Sequence, residues 1–184
     1  EPITVANTDI TKAALGDSSM TDTQRTDLIN WMRGQDVKDE NNDGSRTDTR
    51  WSFGDPLHSS PGVVSYGGTA TAPISKLFVG ANDGVIRMID TTTGVEEWAF
   101  MPQEMLSLQS KMMANINGKR IYGIDGTPTF WMHDVNKDGV INTSQGDFVR
   151  MYIGMRAGGK NIYAFDISTP STPKLMWVIN GGIT

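Results

Sequence analysis

Phe78-Val-Gly80-Ala-Asn-Asp-Gly84-Val-Ile-Arg-Met-Ile-Asp90, with Trp98 downstream, is matched later by Tyr152-Ile-Gly154-Met-Arg-Ala-Gly158-Gly-Lys-Asn-Ile-Tyr-Ala-Phe-Asp166, with Trp177 downstream. Each stretch reads as strand, glycine-containing hairpin, strand, Asp-led turn, strand and tryptophan. The copies stand about 75 residues apart. A small antiparallel sheet cannot bury both faces by itself, and radial stacking of such sheets buries them. The repeat therefore predicts an all-β fold, a partial β-propeller of two to three blades with one or two short helices. A propeller usually needs four or more blades, so the chain is expected to be an internal piece of a larger protein.

Outward from the repeat, short apolar runs punctuated by Gly, Asp and Pro predict further strands at Val63–Val64 and Ile121–Gly123, and from Thr129 to Met132. Ile3 and Val5 alternate as in a short strand. Residues 1–20 are read as a lead-in segment and 21–184 as part of the propeller domain, with blades from about residue 51. Residues 21–33 predict a helix, with Thr21 and Gln24 as a capping box, Leu28, Ile29 and Met32 as its apolar stripe, and Gly34 as its stop. Pro102, Glu104 and the spacing of Met105, Leu108 and Met112 predict a second helix over 102–115.

Between Met132 and Val149 lies Asp134-Val-Asn136-Lys-Asp138-Gly139-Val140-Ile-Asn142. Calcium takes about six to eight oxygen ligands from a loop with side-chain donors at positions 1, 3 and 5, a glycine at 6, a backbone carbonyl at 7 and a donor at 9. Asp134, Asn136, Asp138, Gly139, Val140 and Asn142 fill those places. Gln145 stands where a bidentate glutamate is usual, and Asp147 is the nearest carboxylate that could take its role. The expected ligands are thus Asp134, Asn136, Asp138, Val140, Asn142 and Asp147, in a site of modest affinity suited to calcium-rich extracellular fluid. Asp39-x-Asn41-x-Asp43-Gly44 repeats the spacing, but Arg50 falls at position 12, so it is read as a solvated loop with Asp48 as its late carboxylate.

Sixteen basic against 21 acidic residues give a net charge of −5, so no basic surface points to nucleic acid. Cysteine is absent, which excludes disulfides and thiolate metal sites. No apolar run is long enough to span a membrane. Twenty glycines in 184 residues exceed the usual share of about 7%, in keeping with many tight turns.

The ordered set Trp31-Met-Arg33-Gly34, Arg50-Trp-Ser-Phe-Gly54-Asp55-Pro-Leu-His58-Ser59-Ser60-Pro61, Val79-Gly80-Ala-Asn-Asp83-Gly84, Tyr122-Gly-Ile-Asp125-Gly126-Thr127-Pro128 and the Asp134 loop resembles the C-terminal β-propeller of the PilY-type type IV pilus biogenesis and tip-adhesin proteins. The resemblance implies a quinoprotein-like propeller exported through the periplasm and outer membrane to the cell surface. It implies work at the pilus tip with minor pilins, adhesion to host or abiotic surfaces, and an EF-hand-like calcium loop that tunes pilus extension against retraction. Two carboxylates of the family loop are amides here, at Asn136 and Asn142.

An enzyme is not expected. Asp55, His58 and Ser59 lie close in sequence, whereas triad members usually meet from distant segments, so they are read as a turn with His58 and Asp55 fixing backbone groups. A quinoprotein dehydrogenase would need a complete propeller and a catalytic base set. A dockerin-like module would need a second properly spaced loop and helix. Met101, Met105, Met112 and Met113 are read as core filling, with a plastic partner contact as the alternative.

Overall fold

A computed structural model describes residues 1–182 apart from Asn117 and Lys119; residues 183 and 184, which close the expected domain, lie outside the described residues. The chain divides into two units, residues 1–54 with 101–121, and residues 55–100 with 122–184.

In the first unit, α1 (Asp22–Met32) starts at the predicted box: the Thr21 amide donates to Gln24 Oε1 at 2.8 Å, and the Gln24 amide donates to Thr21 Oγ1 at 3.2 Å. Gly34 follows at φ +89°, a backbone that a glycine adopts without cost. Leu28 and Ile29 are buried with Ile10, Leu15, Met20 and Leu106. Residues 1–20 thus supply half of this core, and they do so from turns rather than from the short strand expected at Ile3 and Val5. The arginine of α1 explains the turns. Arg25 donates to the carbonyls of Val5, Asn7 and Ile10, which a strand would need for itself.

The predicted helix 102–115 is two helices, α2 (Gln103–Leu106) and α3 (Gln109–Ala114). The break has a local cause. The buried Gln109 side chain donates Nε2 to the Met105 carbonyl at 3.1 Å, the acceptor that its own amide would use in a continuous helix. Gly16 also presses on Ser107, where a Cβ would lie 2.7 Å from the carbonyl oxygen. The break turns Leu106 into the core in place of Leu108. Met105 is fully buried and Met101 and Met113 pack against the core, as core filling requires, whereas Met112 is half-buried outside that cluster.

The second unit is mostly β: two four-stranded antiparallel sheets, each in the order of the chain. Sheet 1 holds β1 (Gly62–Thr69), β2 (Ala72–Gly80), β3 (Ile86–Asp90) and β4 (Glu96–Phe100). Sheet 2 holds β5 (Thr129–His133), β6 (Phe148–Gly154), β7 (Ile162–Asp166) and β8 (Lys174–Ile179). The two copies of the repeat fall on β2–β4 and β6–β8. β6 buries Val149, Met151 and Ile153 in strict alternation, the period of a strand.

The sheets meet in one direction. Gly62, Phe78, Trp98 and Phe100 share one face of sheet 1. Phe78 lies against Phe130 at 5.4 Å, Phe100 meets Phe165 edge-on at 5.0 Å, and the Trp98 indole donates to the Pro170 carbonyl at 2.8 Å. A Cβ on Gly62 would strike the Phe130 ring at 2.3 Å. The repeat makes Tyr152, Trp177 and Ile179 the counterparts of Phe78, Trp98 and Phe100 on sheet 2. That face is open: Trp131, Trp177 and Ile179 are 57%, 41% and 53% exposed.

The strand predicted at Ile121–Gly123 does not form. The segment is held instead by the end of the β2–β3 hairpin, with the Ile124 amide donating to the Ala81 carbonyl and the Gly123 amide to Asn82 Oδ1. Glycines permit the crossing, since a Cβ on Gly158 would lie 1.7 Å from the Gly123 oxygen.

Candidate cation loop

Residues 134–147 bridge β5 and β6. Lys137 and Gly139 take φ values of +58° and +78°, and these two left-handed residues curl the loop. The Asp134 carboxylate accepts from the amides of Lys137 at 2.7 Å and Gly139 at 2.8 Å. Asn136 Oδ1 accepts from the Asp138 amide, and Asp138 Oδ1 from the Val140 amide at 2.8 Å. Asn136 Nδ2 spans Asp138 Oδ2 and Gln145 Oε1. Asn142 caps the short 3-10 turn Thr143–Gln145 by accepting from the Ser144 amide and hydroxyl.

Asp147 ties the ends together. It is buried, and its two oxygens accept from the Val135 and Asn142 amides at 2.9 Å each. Those two backbone bonds hold its carboxyl below the ordinary range against the opposing pull of burial, with a smaller contribution from His133. His133 itself stacks on Phe148 at 5.0 Å.

All six expected residues therefore lie in one closed loop of oxygen donors. Among the described residues, no three His, Asp or Glu side chains form a metal-holding group by themselves. The set reaches a calcium-like oxygen count only with the amide oxygens of Asn136 and Asn142 and the Val140 carbonyl. Within that limit the donor chemistry fits a hard cation, since every donor is oxygen and three are carboxylates. No Cβ contact constrains Gly139, so the curl is free of crowding.

The loop rests on sheet 1 through residues that the spacing rule did not flag. The β1–β2 register slips between Ser65 and Gly67, leaving Tyr66 in a bulge. The Tyr66 carbonyl accepts from the Ile141 amide at 3.1 Å, and the Val140 side chain lies over Gly67. The Tyr66 hydroxyl is buried and donates to the Ile167 carbonyl at 2.8 Å. Burial, then the charge of Asp166, pushes the phenol well above its ordinary pKa. A glycine pair after a tyrosine, Tyr66-Gly67-Gly68, is the one sequence sign of this bulge.

The loop at 39–48, in the first unit, takes the same turns. Asn42 and Gly44 have φ +58° and +84°, the Gly44 amide reaches the Asp39 carboxylate, and the Ser45 amide donates to Asp43 Oδ1 at 2.7 Å. Its neck is closed by the Asp36 amide on the Asp48 carbonyl at 2.9 Å.

Asp55, His58 and Ser59 do not form a triad. Asp55 holds Asn82 through backbone and side chain, Ser59 Oγ accepts from the Gly80 amide, and His58 Nδ1 pairs with the fully buried Asp125 carboxylate at 2.8 Å. Arg156 reaches the same carboxylate at 3.4 Å. Turn chemistry accounts for Asp55 and Ser59, and a distant partner, Asp125, takes His58.

The chain is 30% identical over 179 residues to the type IV pilus biogenesis factor PilY1 of Pseudomonas aeruginosa strain UCBPP-PA14, a match over 85% of this chain and 14% of that protein. PilY1 of strain PAO1 is likewise 30% identical, over 185 residues. A PilY1 homolog of Xylella fastidiosa is 24% identical over 92% of this chain and 15% of its own length. The chain thus spans about one seventh of the curated relatives it matches. Among solved structures, the crystal structure of the Pseudomonas aeruginosa PilY1 C-terminal domain aligns with 58% of this chain and 18% of its own, at 29% identity and a TM-score of 0.36. No family model matches.

Proposed function

The chain belongs to the PilY-type type IV pilus biogenesis factors, and from that membership we propose that it is a calcium-binding, non-enzymatic propeller module at the pilus tip. The observation that carries the cation reading is the Asp134–Asp147 loop: three carboxylates on one closed ring of turns, anchored to a neighbouring sheet. Without a cation, Asp134, Asp138 and Asp147 repel one another. A bound calcium ion would neutralise that repulsion. Asp134, Asn136, Asp138, Val140, Asn142 and Asp147 would hold it, and the hairpin entering β6 would be fixed with them.

The propeller reading is supported by the one-way stacking of the sheets. The face of sheet 1 that sheet 2 covers corresponds, residue by residue, to the open face of sheet 2. A third sheet of the same kind would cover Tyr152 and Trp177 as sheet 2 covers Phe78 and Trp98. In this reading the whole protein is an extracellular component of the fimbrium, delivered across the periplasm and outer membrane. Minor pilins and a host or abiotic surface are its partners, and loop occupancy biases biogenesis, extension and retraction, and adhesion.

The test is isothermal titration of calcium chloride into chelator-treated chain, beside the variant Asp134→Ala/Asp138→Ala. Single-site heat lost in the variant is expected. A folded chain that gives no heat sinks the cation reading, and unchanged piliation in cells carrying the double variant sinks the regulatory role.

A further inference from the structure

The Val140–Ile141 peptide serves two masters. Its carbonyl belongs to the expected ligand at loop position 7, and its N–H belongs to Ile141, which donates to the Tyr66 carbonyl of β1 at 3.1 Å. No peptide of the described residues is cis. In a trans peptide the C=O and N–H point in opposite directions from one rigid plane. With the N–H fixed on Tyr66, the Val140 carbonyl must point away from β1. Any force that orients that oxygen also orients the hydrogen bond on the far side of the plane, and pulling electron density from the carbonyl makes the N–H a stronger donor.

Tyr66 carries the signal further. Its backbone stands in the bulge, out of the β1–β2 ladder, so its carbonyl is available to the loop. Its ring passes inward, and its hydroxyl donates to the Ile167 carbonyl, directly after β7. Ile167 in turn donates its amide to the Val149 carbonyl, on the strand that the loop enters. The path from Ile141 through Tyr66 and Ile167 to Val149 is three hydrogen bonds that join the loop, sheet 1 and sheet 2, and the backbone of residues 141–149 closes it.

We propose that Tyr66 is the positioning residue through which sheets 1 and 2 sense occupancy of the 134–147 loop. This rests on the cation reading above and adds to it the route by which the loop acts. By reciprocity, a seam that tightens when the loop fills must also raise the affinity of the loop, so loosening the seam weakens binding.

The experiment uses the whole chain, nitrogen-15 and carbon-13 labelled, with calcium chloride as the probe. Calcium is expected to strengthen the coupling across the Ile141 N–H to Tyr66 C=O hydrogen bond and to slow exchange of the Ile141 amide. Tyr66→Phe removes only the hydroxyl that reaches Ile167. It is expected to keep single-site binding but weaken it several-fold, and to reduce the calcium-induced protection at Ile141. A purely structural Tyr66 would lower the melting temperature of that variant and leave both of these readouts where they were; that result overturns the proposal. Calcium heat with an unchanged Ile141 hydrogen bond in the unaltered chain overturns it without any variant. Absence of calcium heat overturns the cation reading, and this proposal with it.

Discussion

Asp90 and Asp166 close the third strand of each sheet and do the same two tasks. Each accepts from amides of the turn that follows, Thr92 and Thr93 in one case and Ser168 in the other. Each also pairs with a cation on the preceding strand, Lys76 at 2.8 Å and Arg150 at 2.5 Å. Lys76 lowers the Asp90 carboxyl most, with the turn bonds behind it. Burial pulls the Asp166 carboxyl up, but Ser168 and Arg150 outweigh it and the net shift is down. Asp147 is lowered too. A carboxyl depressed in the folded state stabilises above its unfolded pKa, and that stability is lost as pH falls through the folded value. The urea midpoint should therefore be level through neutral pH and drop as pH falls below about 4. A midpoint that instead rises on acidification would contradict these pairings. Asp166→Asn should flatten the acid limb, measured by the same titration. The recurrence of Asp was legible in the sequence; its cation partner was not, because Lys76 and Arg150 lie 14 and 16 residues away along the chain and meet it only across strands.

Among the elements, α1 is the one whose start could be read directly, because a capping box is a local code. Thr21→Ala should cost about 1 kcal/mol of stability in a denaturant melt. The glycines of the 122–128 segment are a contrary case. A Cβ on Gly126 would lie 2.0 Å from the Gly154 oxygen, and backbone cannot yield as a side-chain tip does. Gly126→Ala should cost about 3 kcal/mol, whereas Gly94→Ala, with φ +72° and open space, should cost about 1 kcal/mol through its left-handed backbone. Equal losses at the two positions would remove the close-approach explanation. Strand existence was legible wherever apolar residues alternated in partnered runs. Ile121–Gly123 has the composition of a strand, but the Gly123 amide is spent on Asn82 and the next one, of Ile124, on Ala81, a tertiary outcome that no local pattern records. The 102–115 helix failed for a similar reason, since a buried Gln side chain competed with the ladder. The turns of the 134–147 loop were legible because the residues that make them lie within one short stretch, while its seat on Tyr66 depends on a bulge in a distant strand.

For the whole molecule, the correspondence between a covered face and an open one makes a quantitative statement about tryptophan. Trp177 is 41% exposed in this chain, while its counterpart Trp98 has its indole hydrogen-bonded to Pro170. Trp177→Lys should cost this chain about 1 kcal/mol, since the indole lies against the Tyr152 ring at 5.8 Å. In the full-length protein the same change should cost about 2 kcal/mol or more if a further sheet lies over it. Equal, small effects in both contexts would leave the face without a cover. The repeat was visible in the sequence because each sheet carries its own Gly, Asp and Trp. The composition of the first unit was not, because its core joins Leu28 and Ile29 to Leu106 across an intervening sheet.

That discontinuous core has a consequence in time. A ribosome releases Leu28 and Ile29 long before Leu106, and sheet 1 is made in between. At ordinary rates of about 5–20 residues per second, α1 waits on the order of seconds for the residue that completes its core. Sheet 1, whose strands are contiguous, can pair within that wait. Nascent chains stalled with Phe100 just outside the ribosome and Leu106 still within it should hence carry a sheet 1 already resistant to protease and an α1 still cleavable, the reverse of their order in the chain.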